Sequence, residues 1–255
     1  MEFPIVTQNL SKKYGDFTVV SELSLRVKRG SFFGFLGPNG AGKTTTIKML
    51  AGLLRPTSGN ASVLGYDTVI QGLEVKRYMG LVSDEPALYE YLTAREFLRF
   101  VGGIYRLSKA QIAERTEHLL EMMTLSNKGD SLSKELSFGM RKKLELAAAL
   151  LHDPQVLLLD EPFTGIDPID VRVIKDALAV LTRRGVTIFM SSHVLEMVEK
   201  LCDEVAILHQ GRLVGQGTTA VLREQAKTGA DSSLEEVFLK LVEAPHKETS
   251  LWSTV

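Results

Sequence analysis

Apolar and polar positions along the chain follow two periods, and the switches between them mark its organisation. Leu23, Leu25 and Val27 alternate with Ser24, Arg26 and Lys28, the pattern of a strand with one wet face. Arg29-Gly30 turns the chain into Phe32-Phe33-Gly34-Phe35-Leu36, a continuous apolar run that predicts a buried strand. A helix is predicted over residues 45–54. Arg55-Pro56-Thr57-Ser58-Gly59 breaks it, Ala61-Ser62-Val63-Leu64-Gly65 predicts a short strand, and Met79-Gly80-Leu81-Val82 predicts another buried one.

Near residue 84 the period becomes helical. Thr93-Ala94-Arg95-Glu96 is a capping box before Phe97, Phe100, Val101 and Ile104, and Ser108-Lys109-Ala110-Gln111 opens a helix carrying Ile112, Leu119 and Met123. Both stripes are expected to be core. A third helix is predicted from Ser137 through Leu144, Ala148 and Leu151 to His152. After Asp153-Pro154 the α/β pattern resumes: Val156-Leu157-Leu158-Leu159 as a buried strand, 170–181 as a helix, 186–190 as a strand and 194–201 as a helix. Val205-Ala206-Ile207-Leu208 and Leu213-Val214 flank Gln210-Gly211 as a hairpin. Ser232-Ser233-Leu234-Glu235 reads as a capping box for a last helix with Leu234, Val237, Phe238, Leu241 and Val242 on one face, and the polar residues beyond Pro245 are expected to fray. The switches divide the chain into an α/β core with its β subdomain (1–83 and 155–225), a helical insert (84–154) and a C-terminal helix and tail (226–255).

Composition narrows the partners more than the fold. With 44% hydrophobic and 24% charged residues over 255 positions, a folded domain is expected. The net charge of -1 and the scattered Lys and Arg residues argue for no nucleic-acid partner. A single cysteine, Cys202, excludes an internal disulfide, suits a reducing compartment and is expected to be a small buried apolar residue. The N-terminus lacks the basic start and apolar core of a signal peptide, and no stretch approaches the roughly 20 apolar residues that cross a bilayer. A membrane role is therefore expected to need a separate chain.

The chemistry concentrates at Gly37-Pro38-Asn39-Gly40-Ala41-Gly42-Lys43-Thr44-Thr45, which fits G-x-x-x-x-G-K-[ST] between a strand and a helix. Glycines let successive N–H groups turn inward as an anion nest at a helix N-terminus. Lys43 is placed to reach the outer phosphates of a nucleotide, Thr44 to ligate Mg²⁺ and Thr45 to contact phosphate. Asp160, at the end of an apolar strand, suits a second Mg²⁺ contact, and Glu161 beside it can orient and deprotonate a water. His193, after the strand at 186–190, can donate to a γ-phosphate oxygen. His118, His152, His209 and His246 are expected to take no such part. Leu136-Ser137-Phe138-Gly139-Met140 opens a helix and forms a second anion site. One nucleotide does not need two such sites far apart in sequence, which points to a neighbouring subunit's nucleotide. Tyr14, in Lys12-Lys13-Tyr14-Gly15, can stack on a purine.

In this order the motifs resemble the ATP-binding subunit of an ABC transporter, from Tyr14 to the last helix. The resemblance implies an α/β fold: a P-loop NTPase (RecA-like) core, an N-terminal antiparallel β subdomain and an inserted α-helical subdomain. It implies that Tyr14 stacks on adenine, that 37–45 are the Walker A loop and that Val156 to Asp160 form the Walker B strand. Glu161 becomes the catalytic glutamate, Ser137 and Gly139 the working residues of the signature, Gly165-Ile166-Asp167 the D-loop and His193 the switch histidine. Asp84 stands where the family usually has a glutamine, so Mg²⁺ ligation and coupling are expected to be tuned differently. Phe138 and Met140 replace the signature's Gly and Gln. The implied function is Mg²⁺-dependent ATP hydrolysis in a head-to-tail pair of cassettes that drives a separate integral membrane permease from the cytoplasmic face of the cell membrane. Segment 84–92 and the helical insert are expected to form the groove for a cytoplasmic helix of that permease. Met140 and Ser233-Leu234-Glu235-Glu236-Val237-Phe238 resemble ABC-2-type exporters of drugs, ions or lipid-like compounds. The competing expectation is a soluble ABC-type ATPase acting on the ribosome or DNA, against which stand one cassette and no sustained heptads.

Overall fold

The computed structural model describes residues 2–243; His246 and the tail beyond Pro245 lie outside the described residues. Two sheets organise the chain. The first is antiparallel, in the order β2-β1-β4-β5, from β1 (Ile5–Tyr14), β2 (Phe17–Val27), β4 (Ser58–Val63) and β5 (Tyr66–Asp67). The second runs β10-β9-β3-β8-β7-β6, from β3 (Phe32–Leu36), β6 (Met79–Val82), β7 (Val156–Asp160), β8 (Thr187–Ser192), β9 (Glu204–His209) and β10 (Arg212–Gly217). Its members pair in parallel except for the β9–β10 hairpin.

The continuous apolar runs are buried because the central strands are covered on both faces. Phe33 stacks on Phe189 with ring centroids 5.5 Å apart, and Phe35 meets Phe189 at a tilt, 5.1 Å away. They belong to one core with Leu158, Ile47 and Leu50 of α1 (Lys43–Leu50), and Ile5, Leu10 and Leu25 of the antiparallel sheet. On the other face Leu36, Leu157, Leu159 and Met190 share a core with Leu144 of α5 (Phe138–Leu150) and with Ile174 and Leu178 of α6 (Pro168–Arg183). Each such side chain contributes about 1.5–3 kcal/mol on burial, which is why alternate residues of one strand are apolar towards both layers.

Between β6 and β7 lie α3 (Ala94–Ile104), α4 (Lys109–Met122) and the whole of α5. Thr93 and Ser108 form the two expected capping boxes, and Ser137 caps α5 by accepting from Met140 N at 3.2 Å. One stripe departs from expectation. Phe97 is buried, but Phe100 and Ile104 are 43% and 62% exposed, because they face the outer edge of α3, where Phe100 meets Tyr89 edge-on at 5.1 Å.

Other boundaries moved for local reasons. α1 stops at Leu50 because Gly52, at φ +62°, closes it: Gly52 N bonds to Met49 O and Leu53 N to Lys48 O. β4 starts at Ser58, where it pairs with β1. α2 (Gly72–Tyr78) and α8 (Thr219–Gln225) were not foreseen; each buries one residue, Val75 or Leu222, too few for a stripe. α7 (Leu195–Leu201) and α9 (Leu234–Glu243) complete the described helices. The last cap is Ser233 rather than Ser232, since Ser233 Oγ accepts from Glu236 N.

Candidate active site

The carboxyl ends of four parallel strands converge, and the loops that follow them carry the candidate residues. β3 runs into the glycine loop. Gly42, at φ +105°, must be glycine, because a Cβ there would lie 2.7 Å from the carbonyl of Val19. The first helical bond of α1 runs from Thr46 N to Gly42 O at 2.9 Å, so the N–H groups of 43–45 have no intrahelical acceptor. No side chain caps this end. Lys43 folds back beneath the loop, 6% exposed, and donates to Gly37 O at 2.7 Å and Pro38 O at 3.2 Å.

β7 supplies the acids. Its register pairs Asp160 with Ser191 of β8, and Ser191 Oγ donates to Asp160 Oδ1 at 2.6 Å while accepting from Glu161 N at 3.0 Å. Glu161 sits at φ +46°, a left-handed conformation that costs a non-glycine residue roughly 1–2 kcal/mol. This turn aims its carboxylate back at the loop. Glu161 Oε1 lies 3.2 Å from Lys43 Nζ, an ion pair out of line for a hydrogen bond, so Oε1 is buried with no hydrogen-bond partner. Glu161 Oε2 lies 2.9 Å from His193 Nδ1.

A cavity of about 230 Å³ collects Asn39, Gly40, Gly42, Lys43, Thr44, Thr45, Asp84 and Glu161, with Val19 as its apolar wall. Gly37 and Ala41 are buried behind it, Pro38 is exposed beside it, and Asp160 is buried next to Glu161. Asp84 stands exposed at the lip. Its carboxyl is held above the usual carboxylate range, first by partial desolvation, with Asp160 and Glu161 adding repulsion against the opposing pull of Lys142.

His193 reaches the site through Glu161 without lining this cavity, and Tyr14, Ser137, Gly139 and Asp167 do not line it either. Tyr14 ends β1 with its ring 53% exposed and Lys12 Nζ 5.1 Å from the ring centre. Ser137 caps α5 on the surface. Gly139 is buried against α6, where a Cβ would come within 2.4 Å of Asp170 Oδ2. Asp167 caps α6, accepting from Ile169 N at 2.9 Å and Asp170 N at 3.0 Å, contacts that lower its pKa.

Sequence reading missed the polar groups of α5. Lys142, Lys143 and Glu145 interrupt an otherwise apolar run and are all buried. Lys143 Nζ pairs with Asp170 Oδ1 at 2.6 Å, tying α5 to α6. Charged residues inside a buried run were the available signal. Cys202, expected to be buried, is half-buried against the core, and desolvation pushes its thiol up. His152 stacks on Tyr105 with centroids 3.7 Å apart and bonds to Met79 O, away from the site.

A glycine loop at a helix N-terminus, a buried lysine and an acid pair at a strand end define a P-loop nucleoside-triphosphatase site. The ABC transporter family profile matches residues 20–164. The chain is 36% identical over 251 residues to "Probable multidrug ABC transporter ATP-binding protein YbhF" of Escherichia coli (strain K12), covering 98% of this chain and 43% of that protein. The chain thus spans less than half the length of that relative. It is 38% identical over 239 residues to "Linearmycin resistance ATP-binding protein LnrL" of Bacillus subtilis (strain 168), covering 91% and 76% of the two. A solved "Structure of ATP binding subunit of ABC transporter" superposes with a TM-score of 0.87 at 33% identity, covering 93% of this chain and 98% of that one. The chain belongs to the ABC transporter family.

Proposed function

We propose that this chain is the ATP-hydrolysing subunit of an exporter, which pairs head to tail with a second cassette and drives a separate integral membrane permease at the cytoplasmic face of the membrane. The observation that carries the reading is the separation of two anion-binding groups. Residues 39–45 and Glu161 share one cavity, whereas Ser137 heads α5 outside it. A second copy laying Ser137 and Gly139 over the first copy's triphosphate completes the site.

Within it, the free N–H groups of 43–45 and the ammonium of Lys43 hold the phosphates. Glu161 takes a proton from the attacking water as the water oxygen bonds to the γ-phosphorus and the bond to the bridging oxygen breaks, with ADP leaving. Its unpartnered Oε1 fits that task. His193, on Oε2, orients the carboxylate and acts as the sensor of the γ-phosphate, a role its contact with Glu161 supports. Tyr14 provides an exposed face for adenine, and Asp167 stiffens the start of α6 beside the partner. Thr44, Asp84 and Asp160 suit Mg²⁺, which supplies charge neutralisation on the phosphates. The donor set fits that ion's preference for oxygen: the hydroxyl of Thr44 and the carboxylate of Asp84 line the cavity and Asp160 is buried next to Glu161.

The permease makes the membrane crossing; among the described residues of this chain no helix is long and apolar enough to cross a membrane. A groove of about 300 Å³ lined by Leu53, Ala87, Phe97, Val101 and Tyr105, with Tyr89, Tyr91, Phe100 and Ile104 exposed on the insert, suits an amphipathic cytoplasmic helix. The names of YbhF, a probable multidrug transporter protein, and LnrL, a linearmycin resistance protein, support a role in drug transport. Ser137→Arg tests the pairing: turnover should be abolished while monomer nucleotide affinity stays within about twofold, since phosphate contacts of the loop are untouched. Loss of nucleotide binding by the monomer would refute the trans role.

A further inference from the structure

α5 carries a lysine that no step above uses. Lys142 is 1% exposed and forms no ion pair among the described residues; its ammonium instead donates to the carbonyl of Ser83 at 2.7 Å and reaches that of Glu161 at 3.5 Å. It also lies 5.9 Å from the ring of Phe138, the aromatic in the signature, and that ring packs where a Cβ on Gly165 would meet it at 3.4 Å. Burying an ammonium costs several kcal/mol unless hydrogen bonds and nearby opposite charge compensate. Here the compensation comes from the backbone of the residue preceding Asp84 and of Glu161 itself, with the negative charges of Glu145, Asp84, Asp160 and Glu161 also favouring the ammonium.

One turn further along α5, Glu145 holds the other side of the same segment. Its Oε1 accepts from Ser83 N at 3.2 Å, Ser83 Oγ at 2.9 Å and Ala87 N at 3.3 Å. Carbonyl and amide of Ser83 are thus both bound by α5, and Asp84 follows directly on that fixed residue.

We infer that Lys142 is a positioning residue of the ATPase: it sets Asp84 and Glu161 against each other through their backbones and makes both follow any shift of the helix headed by Ser137. Glu145 completes the clamp on 83–87. A tilt of α5 that brings Ser137 onto a partner's nucleotide therefore moves the two acids of its own site. The inference rests on the assignment of Asp84 and Glu161 to that site.

The test compares Lys142→Met, which keeps the stem and removes every donor, with Lys142→Gln, which keeps a neutral donor for the Ser83 carbonyl. For each purified full chain, kcat and KM for ATP, the half-saturating Mg²⁺ concentration, affinity for a fluorescent ATP analogue without Mg²⁺, and the extra rise in melting temperature from Mg²⁺ with ATP over ATP alone are measured. Lys142→Met is expected to lower kcat by about 10²-fold, the scale of a misplacement near 1 Å, with KM changing far less. It should also raise the half-saturating Mg²⁺ and diminish the Mg²⁺-dependent melting shift, while metal-free nucleotide affinity holds. Lys142→Gln should recover much of both. Should Lys142→Met fail to fold, Lys142→Gln carries the test, with a raised Mg²⁺ requirement at unchanged metal-free affinity expected. Parent-like kcat and Mg²⁺ dependence in Lys142→Met, or in Lys142→Gln where that variant alone folds, or Gln no better than Met when both fold, overturns the inference. Glu161→Gln run alongside separates the levels: if it is inactive, such a result refutes the role of Lys142 alone, and if it turns over at the parent rate the underlying site reading falls too.

Discussion

Replacing Glu161 with Gln removes one negative charge at nearly constant shape, and the surroundings allow its two effects to be estimated separately. For stability, the change breaks a buried pair with Lys43 at 3.2 Å and weakens the contact with His193 at 2.9 Å. Losing one partner of a buried pair commonly costs about 3–5 kcal/mol, because the other charge is stranded. Lys43 is not stranded, since Gly37 O and Pro38 O still accept from it. The left-handed backbone is as costly for Gln as for Glu, so the net loss should be about 1–2 kcal/mol and the fold should survive. For catalysis, removing a general base costs about 10²–10⁴ in rate, equivalent to about 2.7–5.4 kcal/mol on the barrier. The assay is phosphate release at saturating ATP, with size exclusion in ATP and a melting curve as controls. The variant should bind ATP, accumulate as a dimer and turn over at least a hundredfold more slowly, on the scale of a lost base. A folded variant releasing phosphate at the parent rate would refute the base assignment.

Two further outcomes follow from packing and charge. In Gly139→Ala the added methyl meets Asp170 Oδ2, which cannot swing away because Lys143 pins the same carboxylate at 2.6 Å. Overpacking of about 1–3 kcal/mol should outweigh the helix-propensity gain of at most about 1 kcal/mol, lowering the urea midpoint; an unchanged or raised midpoint would count against that contact. His152 has its pKa pushed down to about 4 from 6.5, chiefly by burial. A base whose folded pKa lies below its unfolded value contributes fully above about pH 6.5, and its contribution is lost as pH falls towards 4, by at most about 1.4 kcal/mol per pH unit. Urea unfolding across that window should show His152→Phe flattening part of the slope, and an identical slope in both proteins would rule out this origin.

Much of the architecture was legible because it is written in local pattern. Phe32–Leu36, Met79–Val82 and Val156–Asp160 announce themselves as continuous apolar runs, since a strand covered on both faces needs apolar residues at every position. The caps at Thr93, Ser108 and Ser137 are equally local, each a side chain answering an N–H three residues on. The glycine loop, Asp160 and Glu161 stood out because strand-end chemistry needs few residue types at fixed spacing. Where two or three contacts decide an element, local pattern fell short: α2 and α8 bury one residue apiece, and the last cap shifted from Ser232 to Ser233.

What the sequence determined alone was the position of the continuous apolar strands and of the long periodic helices, and the residue types that stand at the strand ends and in the glycine loop. Tertiary structure alone decided which of those meet: that Glu161 turns back onto Lys43 and His193, that Phe100 and Ile104 face outward, and that Lys142 and Glu145 grip Ser83 from a helix 59 or more positions away in the chain. The reason is physical. Burial and hydrogen bonding at those residues depend on groups remote in sequence, and periodicity carries information only about neighbours within a turn or a pleat.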